Sequence, residues 1–199
     1  MNRRCLFLSL SGAACLLGCG TLLPPPQLYQ LRAAPPVVVV QSQNTAPPLQ
    51  LLLPVALPEL LDRDAIVVSS GLSGVQALAG HRWAEPLRDA VPRLLRQDLA
   101  ALLGNGKVWV APLPAGVSTQ RLLRVELLAL QADATRSSVQ LQARWTLSDA
   151  AGRAAAQTQV INATEAVVGS DVDALVVAHR RVLWGLAERL AQQLVLAQP

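Results

Sequence analysis

Aromatic residues are only 3% of the 199-residue chain, lysine occurs once, at Lys107, and there are two histidines and three cysteines. Each scarcity excludes something. Hydrophobic residues still make up 52% of the chain, so a core has to be built from leucine, valine and alanine. The basic residues are nearly all arginine and are scattered without a run, which argues against a nucleic-acid footprint and for an ordinary solvated surface. His81 and His179 are far apart, with no histidine or cysteine partner at metal-ligand spacing, so the sequence calls for no metal and no cofactor. Ser69-Ser70-Gly71-Leu72-Ser73-Gly74 lacks the Gly-x-Ser-x-Gly order of a nucleophile elbow, and Gly104-x-Gly106 lacks the third glycine of a dinucleotide loop. Asp62 and Asp64 are carboxylates of a turn. With no acid–base pair and no activated nucleophile in view, a non-enzymatic protein is expected, and an envelope hydrolase is the remotest of the readings considered.

All three cysteines fall within the first 19 residues. Arg3 and Arg4 precede an apolar run from Cys5 to Leu17, and small residues precede Cys19. That three-zone layout is a secretory signal, and the run is short of the roughly 20 residues a membrane-spanning helix needs. Leu16-Leu17-Gly18-Cys19 resembles the bacterial lipobox, which makes Cys19 the expected lipidation site and residues 1–18 a removable signal peptide. Cleavage would remove Cys5 and Cys15 and leave no free thiol after acylation of Cys19. It would also take two arginines and no acid from 17 basic and 13 acidic residues, leaving a net charge of +2. Gly20 follows the cysteine where an aspartate would signal retention in the inner membrane of enteric bacteria, so the periplasmic face of the outer membrane is the expected location.

Residues 19–26, ending in Pro24-Pro25-Pro26, read as a stiff lipidated tether. Residues 27–199 read as one periplasmic domain. Strands are expected at Gln27–Leu31, Leu49–Val55, Ala65–Ser69 and Val75–His81, with Gly71 and Gly74 turning a hairpin, and a possible edge strand at Val37–Val40. From Glu85 to Leu103 the positions Leu87, Val91, Leu94, Leu95, Leu99, Leu102 and Leu103 recur at helical spacing, with Arg88, Asp89, Arg93, Arg96 and Asp98 off that face. Pro86 suits the first turn, while Pro92 predicts a kink or a delayed start. Lys107–Ala111 is a short strand, Arg121–Ala132, Ser138–Ser148 and Arg153–Ala166 form a meander, and a last helix follows Ser170 as its cap, with Asp173 completing the box. Strands, helix, strands, helix give an α+β two-layer sandwich, a mixed, mostly antiparallel sheet with two helices on one face. Of Trp83, Trp109, Trp145 and Trp184, most are expected to pack in the core, and Trp83 is the first to suspect of a functional surface.

Several of these segments carry a family resemblance. The lipobox is followed by Tyr29-Gln30-Leu31, then by Leu57-Pro58-Glu59-Leu60-Leu61-Asp62-Arg63-Asp64-Ala65-Ile66-Val67, then by Arg82-Trp83-Ala84-Glu85-Pro86-Leu87. In that order they resemble the ABC-type transport auxiliary lipoproteins, the PqiC-like membrane-integrity transporter subunits. Leu60 and Leu78 stand where some relatives have aromatics, so no stacking role carries over. The resemblance implies a fold similar to the N-terminal domain of TolB. It also implies a role as auxiliary subunit of a lipid-transport system, partnered by a periplasmic MCE-domain protein and an inner-membrane ABC permease and ATPase, with a homo-oligomer possible. The docking surface it suggests is Leu57, Pro58, Leu61, Asp62, Arg63, Ile66, Trp83, Glu85 and Pro86. Turn and cap chemistry alone would also place proline, aspartate and glutamate there. The competing role is a structural or assembly lipoprotein of another envelope complex, serving outer-membrane biogenesis or secretion.

Overall fold

The computed structural model describes residues 24–32, 34 and 47–196, so Cys19 and its lipobox, the start of the tether and Val37–Val40 lie outside the described residues. Eight strands form one sheet: β1 (Gln27–Tyr29), β2 (Leu49–Leu51), β3 (Ala65–Ser70), β4 (Gly74–Trp83), β5 (Val108–Trp109), β6 (Arg121–Ala132), β7 (Ser138–Asp149) and β8 (Gln157–Ala166). The described residues also form two helices, α1 (Leu87–Leu103) and α2 (Val172–Leu196). This is the α+β architecture with a mixed sheet that the order of elements implies.

The meander β6–β7–β8 is antiparallel throughout, with Leu123 opposite Leu147, Val125 opposite Trp145 and Ile161 opposite Ala143. These side chains are buried and alternate with exposed Arg124, Gln140, Gln142, Arg144 and Asn162, because successive strand residues face opposite sides. The wet face is laced across strands by Arg144–Glu126 at 2.9 Å, Gln142–Asn162 at 2.9 Å and Thr146–Thr158 at 2.9 Å. One edge of β6 is taken along its length by β7. The other edge is shared: β2 runs parallel to it at Arg121–Leu123, Ala56 bridges to Glu126, and β3 runs parallel to it at Ala132. From there β4 pairs antiparallel with β3, and β1 pairs parallel with the end of β4, Gln27 opposite His81 and Tyr29 opposite Trp83.

Several boundaries differ from the sequence expectation for local reasons. β2 stops at Leu51, ahead of the cis Leu53–Pro54 bond, and a 3-10 turn at Glu59–Leu61 leads to β3. α1 begins at Leu87 without delay and keeps Pro92 inside it; the carbonyl left without a donor belongs to Arg88, an exposed residue. β8 begins at Gln157, four residues after Arg153. The cap of α2 is Asp171, whose Oδ1 accepts from the Ala174 amide at 2.8 Å, in place of Ser170. Most of α2 is buried, including Leu175, Leu183, Leu186, Leu190 and Leu194.

One buried residue contradicts the helical pattern. Asp98, expected off the apolar face, is 1% exposed. It receives Arg180 of α2 in a two-pronged pair at 2.8 and 2.6 Å, and the third donor of that guanidinium reaches the Arg32 carbonyl at 2.8 Å. Arg180 also lies 5.9 Å from the Trp184 ring centroid. Burial pushes the Asp98 carboxyl above its ordinary value, and Arg180 opposes that shift.

Candidate functional site

The two segments singled out in the sequence meet. The Trp83 amide donates to the Asp64 carbonyl at 2.7 Å and the Ala84 amide to the Tyr29 carbonyl at 2.7 Å. Ala65 stands opposite Arg82 in the β3–β4 ladder. On the surface above them Arg88 binds Asp62 at 2.6 Å, and Arg82 lies 3.9 Å from Asp64. Asp62, whose hydrogen bond is the largest cause, raises the Arg88 guanidinium above its usual value. Glu85 pairs with Arg93 and also accepts from Gln30 at 3.5 Å. Arg63 is exposed and has no ion-pair partner among the described residues.

The nine sequence-predicted docking residues therefore divide by depth. Asp62 and Arg63 are exposed, Leu57, Pro58, Glu85 and Pro86 are half-buried, and Leu61, Ile66 and Trp83 belong to the core. The suspicion attached to Trp83 is corrected by its position: it is 7% exposed and meets His179 of α2 edge-on at 5.5 Å between centroids. An inward residue at the end of β4 faces α2, so it can support the surface only from beneath. Trp145 and Trp184 are also core residues, while Trp109 is half-buried and donates to the Gly106 carbonyl at 2.9 Å.

Next to this patch runs an open groove of about 560 Å³. Leu53, Pro54, Pro92 and Val110 make it apolar, and Arg88, Arg93 and Arg96 stand along it. Sequence reasoning did not find it, because it joins the loop after β2 to the outer face of α1. Arginines at positions 88, 93 and 96, with Pro92 among them, were the only local signal.

The histidines hold no shared site. His179 is fully buried, its Nδ1 within 2.8 Å of the Leu175 carbonyl, and burial pushes it down to about 4. His81 is half-buried, its Nδ1 3.0 Å from the Tyr29 hydroxyl. Among the described residues no group of three or more His, Cys, Asp or Glu side chains could hold a metal, and no helix is long and apolar enough to cross a membrane.

The family described as "ABC-type transport auxiliary lipoprotein component" matches residues 29–191. No curated protein matches the chain. Among solved structures, an uncharacterised protein superposes with a TM-score of 0.66 at 16% identity, covering 85% of this chain and 99% of that one. Protein XCC0632 from Xanthomonas campestris superposes with a TM-score of 0.63 at 16% identity, covering 85% of this chain and 95% of its own. At such identities the likeness concerns the fold.

Proposed function

The chain belongs to the ABC-type transport auxiliary lipoprotein components, and on that footing we infer that it is an outer-membrane lipoprotein, acylated at Cys19, that docks an MCE-domain protein of a lipid-transport system. In this reading it is a non-enzymatic adaptor: it holds the periplasmic end of a bridge whose permease and ATPase sit in the inner membrane. The observation that carries the reading is the meeting of Leu57–Ile66 with Arg82–Leu87 in one surface.

That surface has the physical character of a docking site. Charges of both signs, Asp62, Arg63, Asp64, Arg82 and Arg88, are exposed over a packed floor of Leu61, Ile66 and Trp83. Fixed, mixed charges favour a partner of complementary pattern and penalise a wrong one. Arg63 is free to engage a carboxylate, and the neighbouring groove can take an apolar side chain of the partner. Tethering by lipid raises the effective concentration of the domain for a bridge that spans the periplasm.

The test is crosslinking in intact envelopes followed by capture of the full-length protein and identification of its partners by mass spectrometry. Recovery of an MCE-domain protein with its permease, weakened by Cys19→Ala and by Arg63→Glu, is the expected result. Recovery of only assembly or secretion components would overturn the transport role in favour of the alternative.

A further inference from the structure

From Ala65 to Gly80 the sequence carries no Asp, Glu, Lys, Arg or His, although charged residues are 15% of the chain. This run is the β3–β4 hairpin. Its turn, opened by Gly71 at φ 66°, presents Leu72 fully to solvent, and Val75 beside it is 42% exposed. β3 supplies Ile66, Val67 and Val68 to the core, whereas β4 is exposed from Gly74 to Ala77. The turn therefore projects beyond the core of the domain.

Topology relates this turn to the anchored end of the chain. β1 runs parallel to β4, so the chain arrives at Gln27 from the side on which β4 begins, the side of the Gly71–Gly74 turn. Cys19 lies eight positions before Gln27, a reach of up to about 26–29 Å when extended. From His81, opposite Gln27, back to Gly74 is seven residues, at most about 23 Å of strand. The β6–β7 turn is at the same end, since Val68 pairs with Ala132, and the exposed Val168 follows β8 there too. In that turn the Asp133 carboxylate is saturated by Thr135, Ser137 and Ser138 of its own turn, while Arg136 is exposed. Asp171 and Asp173 lie beside Val168, so among the described turns at this end the β3–β4 hairpin is the uncharged one.

We propose that the tip of the β3–β4 hairpin, Leu72 with Val75, rests in the interface of the bilayer that holds the lipid anchor, so that the domain is oriented as well as tethered. The partner is a lipid surface, with Arg136 available to phosphate headgroups. Two apolar side chains add little to the hold of acyl chains; they choose which end of the domain faces the membrane. That orientation turns the β7–β8 turn toward the periplasm. The inference rests on acylation of Cys19.

The experiment uses full-length acylated protein reconstituted in phosphatidylethanolamine–phosphatidylglycerol vesicles. Acylation leaves no other thiol in the mature chain, so Leu72→Cys can carry an environment-sensitive nitrobenzoxadiazole label. Ala151→Cys in the exposed β7–β8 turn, at the opposite end of the sheet, is the control. The expected result is a blue-shifted, severalfold brighter signal at position 72, protected from aqueous iodide, with no change at position 151. Vesicle-bound protein whose label at 72 is quenched as readily as that at 151 would overturn the proposal. Equal protection at 72 in the unacylated Cys19→Ala variant, in buffer without vesicles or detergent, would overturn it in favour of a second copy covering the hairpin. Protein that fails to float with vesicles removes the Cys19 anchor itself, a failure distinct from the other two.

Discussion

The β6–β7 and β3–β4 hairpins are built from the same kind of pairing and serve different ends. In β6–β7 the strands alternate buried and exposed residues, and the turn is closed by hydrogen bonds that fill both Asp133 oxygens. In β3–β4 only the first strand is buried, through the consecutive Ile66, Val67 and Val68; the second is exposed for most of its length and slips register near Ala65, where Gly80 takes φ 75°. One hairpin is stabilised by what it buries, and the other is left open to meet something outside the fold. The two halves are joined by Arg180, which links α2, packed on β7 and β8, to Asp98 of α1 and to the chain leaving β1.

This contrast can be broken most severely on the buried side. Trp145→Ala, which empties a site 1% exposed between β6 and β8, is expected to cost about 3–5 kcal/mol in chemical denaturation. Asp98→Ala removes one partner of the buried pair and strands Arg180, with an expected loss of about 3–5 kcal/mol. The double variant Asp98→Leu, Arg180→Met should recover much of it, and a double variant no better than the single one would show that the Arg32 contact matters more than the pair.

A milder perturbation is acid. His179 is held neutral by burial, which lowers it from the ordinary 6.5 to about 4. The unfolded chain therefore binds the extra proton first, so stability is lost as pH falls from about 6.5 to about 4 and is level above that window. The loss amounts to about 3 kcal/mol by linkage, read as a falling denaturation midpoint. Asp133 acts in a separate window. Burial favours its protonation, but the donors of Ser137, Ser138 and Thr135 outweigh that and hold it well below the usual carboxylate range, so its contribution is present above about pH 4 and fades only below. A stability curve flat from pH 6.5 to 4 would show that His179 is protonated in the fold. The smallest effect belongs to the open hairpin: Leu72→Ser should change stability by less than about 0.5 kcal/mol, and a larger loss would mean that the tip is packed rather than presented.

How much was legible in the sequence follows the same division. β6 begins and ends at Arg121 and Ala132 as predicted, because every second residue is buried on either side of a bulge at Leu127–Ala129. β4 extends past its predicted end to Trp83, since its exposed residues give no alternation to read. Asp98 looked like a surface charge because its partner is 82 residues away; the only hint was His179-Arg180 interrupting the apolar stripe of α2 between Val176 and Leu183. For the candidate docking surface, the residue types were readable in each segment, and Asp62 and Arg63 are indeed exposed. That the segments meet, and that Trp83 turns inward beneath them, depends on the β3–β4 register, which a turn signal does not specify.

The parallel pairing of β1 with β4 has a mechanical consequence. If Cys19 is the point of attachment, tension on the lipid pulls β1 along its own axis, against a neighbour lying beside it. The hydrogen bonds across the pair, Gln27 to Tyr29 against His81 to Trp83, are then loaded together in shear and cannot be peeled one at a time. Behind them Arg180 grips the Arg32 carbonyl, so a load that overcomes the short strand is passed directly to the last helix.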